Sequence, residues 1–129
     1  MLASNMQIHH INIKGPPELL EQEKRFFCEV LGLSEGMRPN LSSKGYWLYS
    51  GDQAIVHLSE SKLHLKNEQQ GFFDHVAFQS SGLKKLMQAL ENMKIKYSTG
   101  YVAEQDMTQV FFKAPSDTGI EVNFINEKI

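Results

Sequence analysis

Two hexapeptides decide the fold: Ile8-His9-His10-Ile11-Asn12-Ile13 and Phe73-Asp74-His75-Val76-Ala77-Phe78. Each alternates apolar and polar residues, the pattern of a half-buried strand. Each carries a histidine at its third position. An amphipathic helix follows each one. The first is predicted over Glu18–Leu31, after Gly15-Pro16-Pro17, with Leu19, Leu20, Phe26, Phe27, Val30 and Leu31 at helical spacing. The second is predicted over Leu83–Met93, with Leu83, Leu86, Met87 and Leu90 on one face. Such duplication is to be sought before any single motif.

Beyond each helix the chain reads as three strands. In the first half they fall near Ser34–Arg38, at Tyr46–Ser50 and at Ala54–Ser59, with Gly51-Asp52 as the turn between the last two. Arg38 to Lys44 is polar, contains Pro39, and reads as a loop. In the second half they fall near Lys96–Val102, Gln109–Lys113 and Gly119–Ile125. The order strand, helix, three strands occurs twice. The expectation is an α+β fold in one domain over residues 1–129. Module one spans about 7–60, a polar linker about 61–71, and module two about 72–126.

Aligning the halves places His10 on His75 and His57 on Glu121. The separations within each pair are 47 and 46 positions. Imidazole nitrogen and carboxylate oxygen are good ligands for divalent first-row metals. A polar residue on an otherwise apolar strand face needs a partner. His10, His57, His75 and Glu121 are therefore the candidate metal ligands, with His57 the one that could stand behind the others as a supporting group. Strand alternation puts His9 on the face opposite His10, and His64 falls in the linker, so both read as bystanders. Trp47 and Tyr49 share one side of their strand and are candidates to line a substrate cleft. Tyr46 and Leu48 share the other side. Arg38, on its loop, is a candidate anchor for a substrate carboxylate or phosphate. Phe111 and Phe112 have the same two readings, pocket lining or core packing.

Composition excludes several classes. Hydrophobic residues make up 41% and charged residues 22%, with a net charge of −2, which predicts no nucleic-acid partner. No apolar run reaches the roughly 20 residues needed to span a bilayer. Met1–Gln7 lacks a charged and an apolar signal region. Cys28 is the one cysteine, so no internal disulfide forms, and it reads as a buried structural thiol in a cytoplasmic protein.

These pieces resemble the vicinal oxygen chelate superfamily, which includes glyoxalase I, methylmalonyl-CoA epimerase, extradiol dioxygenases, fosfomycin-resistance enzymes and bleomycin-resistance proteins. The resemblance runs from Ile8 to Phe124. Besides the two hexapeptides it is carried by Phe26-Phe27-Cys28-Glu29-Val30-Leu31-Gly32-Leu33 and Gly119-Ile120-Glu121-Val122. It implies two βαβββ modules whose eight strands form a U-shaped mixed sheet around one divalent ion: Ni²⁺, Zn²⁺, Co²⁺, Mn²⁺ or Fe²⁺. It also implies a homodimer. The positions matching the family's ligands are His10, His57, His75 and Glu121. Several positions depart from glyoxalase I: Lys14 stands where Arg is usual, Ser61 where Asn contacts glutathione, His57 where Glu is common, and Ala114-Pro115-Ser116-Asp117 replaces the Asp-Pro-Asp-Gly turn. They point away from strict use of glutathione.

The implied activity is that of a lyase or isomerase on a small oxygen-rich substrate, through a metal-stabilised enediolate, with Glu121 as the catalytic base. One alternative is an extradiol-type iron dioxygenase using His10, His75 and Glu121, the two-His-one-carboxylate set. The other is a metal-free protein that binds a planar small molecule.

Overall fold

The computed structural model describes residues 5–62 and 71–129. Most of the linker, including His64, lies outside the described residues. The elements are β1 (Ile11–Gly15), α1 (Pro17–Glu29), β2 (Ser34–Gly36), β3 (Gly45–Ser50), β4 (Gln53–Glu60), β5 (His75–Ser80), α2 (Leu83–Asn92), β6 (Ser98–Val102), β7 (Met107–Lys113) and β8 (Gly119–Ile125). The chain divides into two compact units, one built on β1–α1–β2–β3–β4 and the other on β5–α2–β6–β7–β8.

Among the described residues the eight strands are hydrogen bonded as two four-stranded sheets, ordered β1-β4-β3-β2 and β5-β8-β7-β6. In each, the first strand runs parallel to the last and the remaining pairs are antiparallel. The βαβββ module therefore occurs twice with one topology. The registers agree as well. Asn12, two residues after His10, pairs with His57. Ala77, two residues after His75, pairs with Glu121. The sequence alignment of the halves is thus an alignment of hydrogen-bonded ladders.

In the first unit Tyr46 pairs with Leu58 and Leu48 pairs with Val56. Leu48, Val56 and Leu58 are fully buried. Their face is the one toward α1, because the Tyr46 hydroxyl donates to the Glu21 carboxylate and the Lys24 ammonium lies 4.2 Å from the Tyr46 ring centroid. Leu20, Phe26 and Phe27 of α1 are buried too, each contributing about 1.5–3 kcal/mol. That leaves His57 and Trp47, which pair across β3 and β4, on the opposite face. Cys28 is only half-buried.

The second unit repeats this division. Val110 pairs with Val122 and Phe112 with Ile120, and all four are buried, as are Leu83, Leu86 and Leu90 of α2. Gln109 pairs with Asn123 and Phe111 with Glu121 on the other face. Phe112 is thus a core residue, while Phe111 stands beside Glu121 as Trp47 stands beside His57. The N-terminus of α2 has no local side-chain cap, since Gly82 occupies the N-cap with φ 93°. The Glu127 carboxylate, far along the chain, accepts from the Gly82 and Leu83 amides at 2.8–3.2 Å instead.

The first strand of each half starts later than its sequence pattern suggests. The ladder of β1 begins at Ile11 and that of β5 at His75. Residues 8–10 and 73–74 carry the alternation but precede those ladders.

Candidate metal and substrate site

The predicted ligands come together in two pairs, one in each unit. In the second, His75 Nε2 lies 3.1 Å from Glu121 Oε1. Glu121 is buried and His75 is 43% exposed on its side chain. Both partners are held from behind. Asp74 Oδ2 sits 2.8 Å from His75 Nδ1, and Gln109 Nε2 donates to Glu121 Oε2 at 3.1 Å. The hydrogen bond to Asp74 raises the His75 imidazole above its ordinary value, and the Glu121 charge adds to it.

Gly119 lets this arrangement close. It pairs with His75 on the neighbouring strand, and a Cβ there would lie 2.4 Å from the Asp74 carbonyl oxygen and 2.9 Å from the His75 Cβ. No side chain fits at that approach. A cleft of about 570 Å³ opens beside it, lined in part by His75, Tyr97, Phe111 and Lys113.

In the first unit, His57 is the middle ring of a stack. Its centroid lies 3.7 Å from that of His10 and 4.0 Å from that of Trp47, with interplanar angles of 11° and 12°. His57 Nε2 donates to the Ala54 carbonyl at 3.1 Å, so a neutral ring has its lone pair on Nδ1. Burial holds this imidazole below its ordinary value; the nearby His10 and Arg38 charges add to that, and the bond to Ala54 opposes it.

The donor sets differ in how they suit a divalent ion. The His75–Glu121 pair fits: a nitrogen and an oxygen stand side by side, each steadied on its far side. The His10–His57 pair fits only after movement. Parallel stacked rings do not aim their in-plane lone pairs at one point, and His57 has only Nδ1 to offer. Among the described residues, no group of three or more His, Cys, Asp or Glu side chains stands together as a metal-holding cluster.

The proposed substrate contacts are placed as follows. Trp47 covers one face of His57. The Tyr49 hydroxyl donates to the Met37 carbonyl, and its ring fills the space above Gly36. Arg38 is half-buried, with one guanidinium nitrogen on the Ser43 carbonyl at 2.8 Å; its buried Nε has no hydrogen-bond partner among the described residues.

His9 departs from its expected place. Strand alternation predicts the face opposite His10, but its ring meets the His10 ring edge-on at 5.2 Å, with the two Nδ1 atoms 2.9 Å apart. The reason is that both residues precede β1, where strand alternation does not yet apply. Sequence reasoning also passed over Asp74 and Gln109. The position of Asp74 directly before a candidate ligand, equivalent to that of His9, was an available signal.

No protein-family model and no curated protein matches the chain. Solved structures do. A glyoxalase-family protein from Bacillus anthracis superposes with a TM-score of 0.74 at 21% identity, covering 97% of this chain and 99% of that one. A variant of the genomically encoded fosfomycin resistance protein from Listeria monocytogenes, complexed with Mn(II) and a dihydroxypropylphosphonic acid, superposes with 0.69 at 12% identity, covering 95% and 93%. Lactoylglutathione lyase from Agrobacterium tumefaciens superposes with 0.65 at 14% identity, covering 92% of each chain. At these identities the likeness is one of fold: the paired βαβββ arrangement is shared with these proteins. No helix among the described residues is long and apolar enough to cross a membrane.

Proposed function

We propose that this chain is a metal-dependent, glyoxalase-like lyase or isomerase for a small oxygen-rich substrate. The observation that carries the reading is the His75–Glu121 pair, 3.1 Å apart and steadied by Asp74 and Gln109. The fold's occurrence in a lactoylglutathione lyase and in a Mn(II)-bound resistance protein supports it. His10, His57, His75 and Glu121 are the proposed ligands of one divalent ion. When bound, such an ion supplies Lewis-acid stabilisation of negative charge developing on a substrate oxygen.

The remaining work falls to the chain's own groups. Glu121 is the proposed base, accepting a proton from a carbon next to a carbonyl. Gln109 holds its Oε2, so Oε1 is the oxygen free to exchange partners. Phe111 pairs with Glu121 across β7 and β8 and shares its face of the sheet. Trp47 and Tyr49 offer aromatic surface, and Arg38 is the proposed anchor for an anionic substrate group. A homodimer is the proposed assembly, since β1 and β5 are both edge strands. The lone cysteine suits the cytoplasm.

The test is deuterium exchange. Metal-reconstituted protein is incubated in D₂O with a panel of 2-hydroxycarbonyl compounds and thiol hemiacetals of 2-oxoaldehydes. Deuterium entering the carbon beside the carbonyl, lost in Glu121→Gln, is the expected result. No exchange with any of them sinks the lyase reading.

One observation favours a second reading. With His57 Nε2 on the Ala54 carbonyl and the ring stacked on both faces, His10, His75 and Glu121 are left as the ligand set. Two imidazoles and a carboxylate suit non-haem Fe(II). Oxygen uptake by the Fe(II)-loaded protein with catechols would then replace proton exchange.

A further inference from the structure

The cleft beside His75 is built at one end of the second sheet. There β5 begins at His75, β8 at Gly119 and β6 at Ser98, while β7 ends at Lys113. His75 pairs with Gly119 and Gly119 with Lys113, so three strands bring these residues into one row. The volume is about 570 Å³. Sites for small organic molecules run to about 300–1,000 Å³.

Tyr97 and Phe111 give the cleft aromatic surface, and both are half-buried. Tyr97 is held in place, because its hydroxyl donates to Glu91 at 3.1 Å. Phe111 is set by the ladder, where it pairs with Ser98 and with Glu121. Aromatic surface that is fixed but not covered gains when an apolar body covers it.

The charged groups of the lining sort by partner. Asp74 lies 2.8 Å from His75 Nδ1, and Asp117 lies 3.4 Å from the Lys113 ammonium. Lys96 has no ionic partner among the described residues. Lys113 and Asp117 are both well exposed, and ion pairs of that kind hold weakly, so Lys113 can turn to a better acceptor. The cleft thus offers one unmatched ammonium and a second that is loosely held. Asp74 and Asp117 oppose a second negative charge on a ligand there.

We propose that this cleft binds a small organic monoanion, its carboxylate on Lys96 and its aromatic or apolar body against Tyr97 and Phe111. As a binding site it requires neither a metal ion nor turnover. As a substrate class for the lyase or isomerase it rests on that reading.

The probe is phenylacetate, titrated into the metal-free full chain and followed by ¹H–¹⁵N NMR. Saturable shifts are expected at residues 96–98, 111 and 113. Phenylacetamide keeps the shape without the charge, and acetate keeps the charge without the ring. Each should bind about 10-fold more weakly than phenylacetate. Lys96→Met keeps the apolar stem of an exposed side chain. It should weaken phenylacetate about 10-fold and leave phenylacetamide unchanged, a difference that a structural lesion would not give. Lys96→Arg should retain binding. The proposal is overturned if phenylacetate does not bind, if phenylacetamide binds as tightly, or if Arg38→Met abolishes binding while Lys96→Met does not. Deuterium exchange tests the lyase reading separately, so either result can fail without the other.

Discussion

Glu121 reaches two side chains with its two oxygens: Oε1 lies 3.1 Å from His75 Nε2, and Oε2 accepts from Gln109 Nε2 at 3.1 Å. The carboxylate is thereby divided into a held oxygen and an exchangeable one. Gln109→Leu keeps the shape and removes the donor. It is expected to lower kcat about 10–100-fold with a smaller change in KM. Glu121→Gln should cost more, about 10²–10⁴-fold in kcat. Steady-state kinetics on the two variants checks the order. Equal activity of Gln109→Leu and the unsubstituted chain would mean that Oε2 needs no holding.

His57 predicts a pH effect on stability. Its imidazole is held below the ordinary 6.5, chiefly by burial. The unfolded chain therefore binds a proton first as the pH falls. The stability contributed by neutral His57 is present above 6.5 and is lost as the pH falls through the lower folded value. His75 runs the other way. Its folded value is raised, so its contribution is complete below 6.5 and is lost as the pH rises through that folded value. The drop in Tm between about pH 7 and about pH 5 should be smaller in His57→Gln than in the unsubstituted chain. Thermal melts at both pH values decide it, and an equal drop contradicts the assignment.

Gly119→Ala tests the packing under the second pair. The new Cβ would meet the Asp74 carbonyl oxygen at 2.4 Å, a backbone atom rather than the end of a flexible side chain. Overpacking of this kind costs about 1–3 kcal/mol. The entry to β5 should shift, lowering both Tm and Co²⁺ affinity. A variant that loses neither shows that the approach is slack.

Glu127→Ala should destabilise the second unit by about 1 kcal/mol, since three amide contacts at the start of α2 end on that one carboxylate. Chemical denaturation measures it. Metal affinity should not change, because Glu127 lies on none of the ligand contacts.

The duplication was legible because it is local. Two hexapeptides, two amphipathic helices and a matching pair of spacings specify the βαβββ order, and the bounds of β8 fall where its alternation does. Tyr46-Trp47-Leu48-Tyr49 also divided as alternation requires, with Tyr46 toward α1 and Trp47 toward His57. What was not legible depends on distance along the chain or on where a ladder stops. The cap of α2 comes from Glu127, 45 positions from Gly82. Gln109 reaches Glu121 only because β7 and β8 pair in one register. His9 was misplaced because strand periodicity was extended to residues that precede the ladder.

The most direct measurement is the metal content of freshly purified protein, by mass spectrometry, alongside His75→Ala and His57→Ala. About one divalent ion per chain in the unsubstituted protein, with loss of that ion in His75→Ala, is the expected result. Retention of the ion in His57→Ala would reduce the set to His10, His75 and Glu121 and favour the iron reading. Full retention in His75→Ala, or no bound ion and no Co²⁺ uptake by the unsubstituted chain, would contradict a metal centre built on the His75–Glu121 pair.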